Sequence, residues 1–321
     1  MKWFKFLFAI NKKPLHGLLA VEWVVLGYTG LTLLVMLFMW TKVINPHVML
    51  SLRLQSTCLI LALWVVYRLV PCRMTLFCRI ALLMLMLAQW YPDTYEFNRL
   101  LPNLDHLFAA AEQQLCGFQP AMVFADKFNH PVFSELMHLS YVSYFPLIAS
   151  VTLFYFFWRN DDFLRAMFII ITSFFIFYTV FIFLPVVGPQ YYYPAVGIDL
   201  IARGEFPALG DYFMAPQQLP VMPGWEDGIF YKMNTLPHTN GECSTAAFPS
   251  SHVGVTLILL LLAWRTGNRK LTVLVAIFFT LMLFATVYVK AHYAIDVLAG
   301  IVSGFAFYFL LLFVYNRFVS R

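Results

Sequence analysis

Residues 271–316 read LTVLVAIFFTLMLFATVYVKAHYAIDVLAGIVSGFAFYFLLLFVYN. The two apolar runs in it, 271–289 and 297–316, are each long enough to cross a hydrocarbon layer of roughly 30 Å as α-helix. Between them stand a cation, an imidazole and a carboxylate: Lys290, His292 and Asp296. Ionisable groups at the edge of a membrane are costly unless paired or solvated, so this turn predicts a helical hairpin with chemistry at its tip.

Outward from that hairpin, comparable runs recur near 18–40, 50–70, 74–91, 135–157, 164–185 and 250–265. The chain therefore reads as an all-α integral membrane protein, a polytopic helical bundle of about eight spans. Its composition agrees: 61% of the 321 residues are hydrophobic and 12% charged, against about 45–50% apolar in a soluble domain. No fixed-period repeat or Ser/Gly linker divides it. We expect one membrane domain, 1–321, in which 1–134 contributes N-terminal spans and an outer amphipathic segment. Residues 135–321 form the catalytic helical core, with an outer loop at 186–249.

The formal charge of +5 is scattered over short loops, which argues for membrane topology and against a nucleic-acid surface. With the N-terminus inside, the inner segments collect Lys2, Lys5, Lys12, Lys13, Arg68, Arg73, Arg159, Arg165, Arg265, Arg269, Lys270, Arg317 and Arg321. Both termini are then cytoplasmic, Lys2 to Lys13 forming an uncleaved interfacial segment. The stretches 92–134 and 186–249 lie outside, and the expected setting is a bacterial inner membrane with the site on its periplasmic face. Five cysteines show no metal-ligand spacing, and Cys58 and Cys78 fall in apolar runs; Cys116 and Cys243 remain able to pair outside.

In the first outer stretch, Asp105-His106-Leu107-Phe108-Ala109-Ala110-Ala111-Glu112 has helical apolar spacing and is stopped by Gly117-Phe118-Gln119-Pro120. It reads as an amphipathic helix lying at the interface. The second is rich in Pro, Gly, Tyr and Trp from Pro185 to Trp225, a loop long enough to suggest function.

Phe248-Pro249-Ser250-Ser251-His252-Val253-Gly254 begins a span where a loop ends, and free N–H groups with the helix dipole make such a start an anion site. His292 and Asp296 are four apart and share a helical face, so the carboxylate can hold one imidazole nitrogen while the other attacks. Taken singly, each histidine reads as an ordinary polar residue at a helix end, and Lys290 with Asp296 as a structural pair. Two such clusters on one predicted face favour a site.

Pro249-Ser250-Ser251-His252 and His292-x-x-x-Asp296, in that order in a polytopic chain, resemble the second and third signatures of the type-2 phosphatidic acid phosphatase superfamily, over about residues 185 to 300. The resemblance implies that His292 attacks phosphorus to give a phosphohistidine, that Asp296 orients it, and that His252 protonates the leaving oxygen, without metal or cofactor. Ser250, Ser251 and nearby N–H groups would then hold the phosphate. The usual members carry an Arg six residues before the nucleophile, where this chain has Thr286, and Gln190 stands where relatives place another. Lys290, Gln190 and Tyr191 are the candidate replacements, although Tyr191 to Tyr193 fit an aromatic belt equally well.

Tyr288-x-x-x-His292-Tyr293-x-x-Asp296, with Gly117 to Pro120 and Tyr141-x-x-Tyr144, is similar to the inositol phosphorylceramide synthase branch. That implies transfer of a phosphate-linked headgroup such as phosphoinositol from a phospholipid to a lipid alcohol such as ceramide. The alternative is a lipid phosphate or pyrophosphate phosphatase with water as acceptor. A transporter or lipid-binding scaffold is the non-enzyme rival; against it, no inverted repeat is evident and charges inside the spans are few apart from Glu22, read as a helix-end group. His238, Glu242 and Cys243, like His130, Glu135 and His138, read as structural.

Overall fold

The computed structural model describes residues 2–11, 14–217, 221–235 and 246–319. The chain is 76% helix, with no strand among the described residues. In order come α1 (Lys2–Leu7), α2 (Ala20–Phe38), α3 (Pro46–Leu69), α4 (Arg73–Asn98), α5 (Asp105–Cys116), α6 (Pro120–Lys127), α7 (Pro131–Val142) and α8 (Tyr144–Trp158). They are followed by α9 (Asn160–Phe183), α10 (Pro189–Val196), α11 (Ile198–Ala202), α12 (Ile229–Thr235), α13 (Ser251–Arg265), α14 (Arg269–Tyr288) and α15 (Ala294–Val314).

Six of these, α2, α3, α4, α9, α14 and α15, are long and apolar enough to cross a membrane. The run expected at 135–157 is two helices, α7 and α8, bent by 48° and counting as a seventh span if taken together. Pro146 explains the break: it lacks the N–H that would bond the carbonyl of Val142, the last residue of α7, and its ring crowds that carbonyl. The run expected at 250–265 is α13, apolar but only 15 residues long.

Local chemistry sets the helix starts. Pro46, Pro120, Pro131 and Pro189 sit in the first turn of α3, α6, α7 and α10, where a missing N–H costs nothing. Asn268 caps α14 through Leu271 N–H at 3.0 Å, and Ser250 caps α13 through Val253 N–H at 3.4 Å.

α13 lies at the centre, packed by α8, α9, α14 and α15. Its contact with α15 is a glycine seam. A Cβ on Gly300 would stand 2.7 Å from the Ser250 carbonyl, and one on Gly304 2.8 Å from that of Gly254. Small residues spaced by four let two backbones touch in a membrane, and here they bring the start of α13 against the start of α15.

Glu22 is a helix-end group, in the first turn of α2, and it is also ion-paired. It is buried against Arg79, whose Nε donates at 2.7 Å, and it also accepts Leu19 N–H at 2.8 Å. A second buried pair joins α3 to α4: Arg53 donates to both carboxylate oxygens of Asp93, at 3.1 and 2.7 Å, and lies over the Trp90 ring. Each pair satisfies charges that would be prohibitive alone in hydrocarbon.

α4 continues past Pro92 to Asn98, so the expected outer stretch at 92–134 begins later than its sequence suggested. Cys116 is a free, exposed thiol, while Cys243, with His238 and Glu242, lies outside the described residues.

Candidate active site

Three chain junctions meet at one end of the bundle: 185–190 after α9, 246–250 before α13, and 289–293 between α14 and α15. Main-chain bonds knit them together. Ala247 N–H donates to Val186 O at 2.5 Å, Gln190 N–H to Lys290 O at 2.8 Å, and Ser250 N–H to Asp296 O at 3.1 Å. Gly188 is required where the first junction crosses the third. Its φ of 88° is left-handed, and a Cβ there would meet the Ala291 carbonyl at 2.6 Å.

On this frame His292 is buried, with its Nδ1 2.7 Å from the carbonyl oxygen of Ala247. A carbonyl only accepts, so Nδ1 carries the hydrogen and Nε2 is left with its lone pair. That Nε2 faces His252 Nδ1 at 3.4 Å. The rings of Tyr141 and Tyr144 pack on the His252 imidazole, with centroids 4.6 and 4.5 Å away, and Tyr144 O–H donates to the Ser251 carbonyl at 3.3 Å.

Asp296 is fully buried, and one of its oxygens lies 3.6 Å from His292 Nδ1, beyond hydrogen-bond distance. The same oxygen accepts Tyr293 N–H at 2.8 Å, capping the first turn of α15. The direct hydrogen bond that orients His292 is therefore the main-chain one, with the Asp296 charge just behind it.

The expected phosphate-holding residues are dispersed around this pair. Ser250 is fully buried and spends its hydroxyl on the α13 cap. Ser251 is buried in the first turn of α13, next to His252. Lys290, at the left-handed φ of 62°, lines with Gln190, Tyr193, Val289 and Met222 a cavity of about 60 Å³. Tyr191 is buried in the core; Tyr193, rather than Tyr191, reaches that cavity. Thr286, in the place of the usual Arg, is buried and bonds back to the Met282 carbonyl.

Two carboxylates on α5, passed over in the sequence, reach the same frame. Asp105 accepts Val187 N–H at 2.7 Å, Gly188 N–H at 2.9 Å, Tyr293 O–H at 3.0 Å and Asn103 Nδ2 at 2.7 Å. Glu112 accepts Ala294 N–H at 2.5 Å, at the start of α15. Burial pushes the Asp105 carboxyl up to about 6 against the pull of its four donors, and the Glu112 carboxyl up to about 7. The helix expected here is present, with its two acids on the face turned toward the site. Leu107 and Leu115 are 55% and 72% exposed, while Asp105 and Glu112 are sealed against the site. The signal available in the sequence was two acids seven residues apart, on one face of the helix.

Among the described residues no group of three or more His, Cys, Asp or Glu gathers as metal ligands. His138 and Glu135 are engaged elsewhere: the ring of His138 contacts the Pro223 carbonyl and Asn234, and Glu135 accepts Phe230 and Tyr231 N–H. They hold segment 221–235 onto α7.

A family model described as the PAP2 superfamily matches residues 106–310. No curated protein and no solved structure gives a match.

Proposed function

The chain belongs to the PAP2 superfamily, whose members are generally phosphatases and phosphotransferases, and on that premise we propose that it moves a phosphate-linked headgroup from a phospholipid to a lipid alcohol such as ceramide. The observation that carries the phosphoryl-transfer chemistry is the pairing of His292 Nε2, which bears the lone pair, with His252 Nδ1 at 3.4 Å. The headgroup would be of the phosphoinositol kind.

In the first step His292 Nε2 bonds to phosphorus as the bond from phosphorus to the diacylglycerol oxygen breaks, and that oxygen takes a proton from His252. In the second the acceptor hydroxyl gives its proton to His252, its oxygen attacks phosphorus, and the N–P bond breaks. The imidazolium that develops on His292 in the first step is offset by the Ala247 carbonyl and the Asp296 carboxylate. Helix-start N–H groups of α13, Lys290 and Gln190 are the candidate donors to the phosphoryl oxygens.

A lipid acceptor is supported by the surroundings of the two imidazoles. His292 is buried and the half-buried His252 is packed by the rings of Tyr141 and Tyr144, an arrangement that restricts water. The site is proposed to face outward, because Arg159, Arg265, Arg269 and Lys270 lie at the opposite helix ends, where Arg159 Nη2 meets the Arg265 carbonyl at 3.4 Å.

The test is turnover by the purified protein in lipid micelles with a labelled phospholipid, with and without ceramide. Ceramide-dependent formation of a labelled sphingolipid supports the transferase. Release of phosphate or headgroup phosphate to water regardless of ceramide replaces it with the phosphatase.

A further inference from the structure

We infer that Asp105 and Glu112 are positioning residues of this active site, α5 serving as the brace that sets the 185–190 junction and the start of α15 in register around His292. The inference rests on the activity proposed above.

The two carboxylates divide the work. Asp105 gathers donors from three separate pieces of chain: the Val187 and Gly188 amides, the Tyr293 hydroxyl and the Asn103 side chain. Val187 and Gly188 lead into Gln190, whose amide is tied to Lys290, and Tyr293 follows His292 directly. One carboxylate therefore fixes the spacing between the first junction and the loop that carries the nucleophile. A residue that merely packed α5 against the bundle needs one partner, not donors from both sides of the reaction centre.

Glu112, two helical turns along α5, takes the Ala294 amide, the next N–H after the Tyr293 amide held by Asp296. The start of α15 is thus held by two carboxylates, one from inside the helix and one from outside it. The titratable groups that face Glu112 are Asp296 of α15, Tyr193 of α10 and Cys116 of α5 itself. Without Glu112, Asp296 is the nearest carboxylate for the freed amide, and its distance to His292 changes. α5 packs inward through Ala109 and through Phe108 against Phe248, with ring centroids 4.7 Å apart, and neither contact asks for a buried acid beside it.

The experiment compares Asp105→Ala, Asp105→Asn, Glu112→Ala and Glu112→Gln with the exposed control Gln114→Ala in the full-length protein. Two readouts are taken: hydrogen exchange in peptides spanning 186–193 and 292–296, and steady-state turnover of a labelled phospholipid with ceramide. Asp105→Ala should speed exchange in the first peptide about tenfold or more while α9 and α13 stay protected. Its kcat should fall about a hundredfold, with KM within about threefold of wild type, as expected when bound substrate is held but the reacting groups are misplaced. Glu112→Gln keeps an acceptor oxygen and should recover most of what Glu112→Ala loses. Should the alanine variants not fold, the near-isosteric Asn and Gln variants carry the comparison. Unchanged exchange in both peptides, or unchanged kcat in variants of a wild type that turns over, overturns the inference. A wild type inactive on every phospholipid offered counts against the activity alone, and the exchange arm still decides the brace.

Discussion

His292 Nδ1 is 2.7 Å from the Ala247 carbonyl oxygen and 3.6 Å from the Asp296 carboxylate. The main chain therefore fixes the tautomer that frees Nε2, and the carboxylate adds charge to an orientation already made. A graded response follows. His292→Asn should abolish turnover, by about 10³-fold or more, whereas Asp296→Asn should leave a measurable remainder, because Ala247 still holds Nδ1. Single-turnover rates with a labelled phospholipid check the order; equal losses would make Asp296 the principal orienter.

The reaction as drawn asks nothing of a metal, since both proton and nucleophile come from imidazoles. Turnover should persist in a chelator, and loss of activity restored by a divalent cation would require a different scheme.

The seam between α13 and α15 has no room for a methyl group. Gly300→Ala forces its Cβ toward the Ser250 carbonyl at 2.7 Å, and a backbone atom cannot rotate away. The expected cost is about 1–3 kcal/mol in stability, with turnover reduced about tenfold or more as the His252 helix shifts from His292. Gly27→Ala in α2, with open space around it, should be neutral. Thermal denaturation in detergent and turnover measure both.

Removing one member of a buried pair leaves the other charge stranded. Arg79→Met should destabilise by about 3–5 kcal/mol, and adding Glu22→Met should recover most of it. Melting temperatures of the single and double variants check this.

Stability should also depend on pH through α5. Burial raises the Glu112 carboxyl from 4.5 to about 7 and the Asp105 carboxyl from 3.8 to about 6, so the folded chain favours the protonated forms. Their destabilising effect is absent below about pH 4, grows as pH rises, and is complete above about pH 7, with Glu112 contributing about 3 kcal/mol. Melting temperature should therefore climb as pH falls from 8 toward 5, and Glu112→Gln should flatten part of that slope.

That His252, His292 and Asp296 come together was legible from short spacing: a serine-rich helix start, and an imidazole four residues from a carboxylate. The six long helices were legible from apolar length alone. The break at Val142 had its cause in plain sight at Pro146, yet the apolar run continues across it and hydropathy does not register a bend. Arg53, Arg79 and Asp93 were missed because their partners are 40 and 57 residues away, so no local pattern marks them as paired. Asp105 and Glu112 escaped for a different reason. Acids on an amphipathic helix suggest solvent, whereas these two are buried against main-chain N–H groups 82, 83 and 182 residues away. The Ala247 carbonyl has no sequence signature, since every residue carries that atom.

The length of α13 sets the depth of the chemistry. At about 1.5 Å per residue its 15 residues extend about 22 Å, short of the roughly 30 Å of a bilayer's hydrocarbon. Its last residue, Arg265, is exposed beside Arg159 at the basic end, where water must be. Measured from there along the helix, His252 stands about 20 Å up, about 10 Å short of a full hydrocarbon crossing. For the proposed reaction, a helix this short would make a phosphodiester sink below the plane where headgroups normally float, or the leaflet dimple to meet it, and turnover should then slow in thicker membranes.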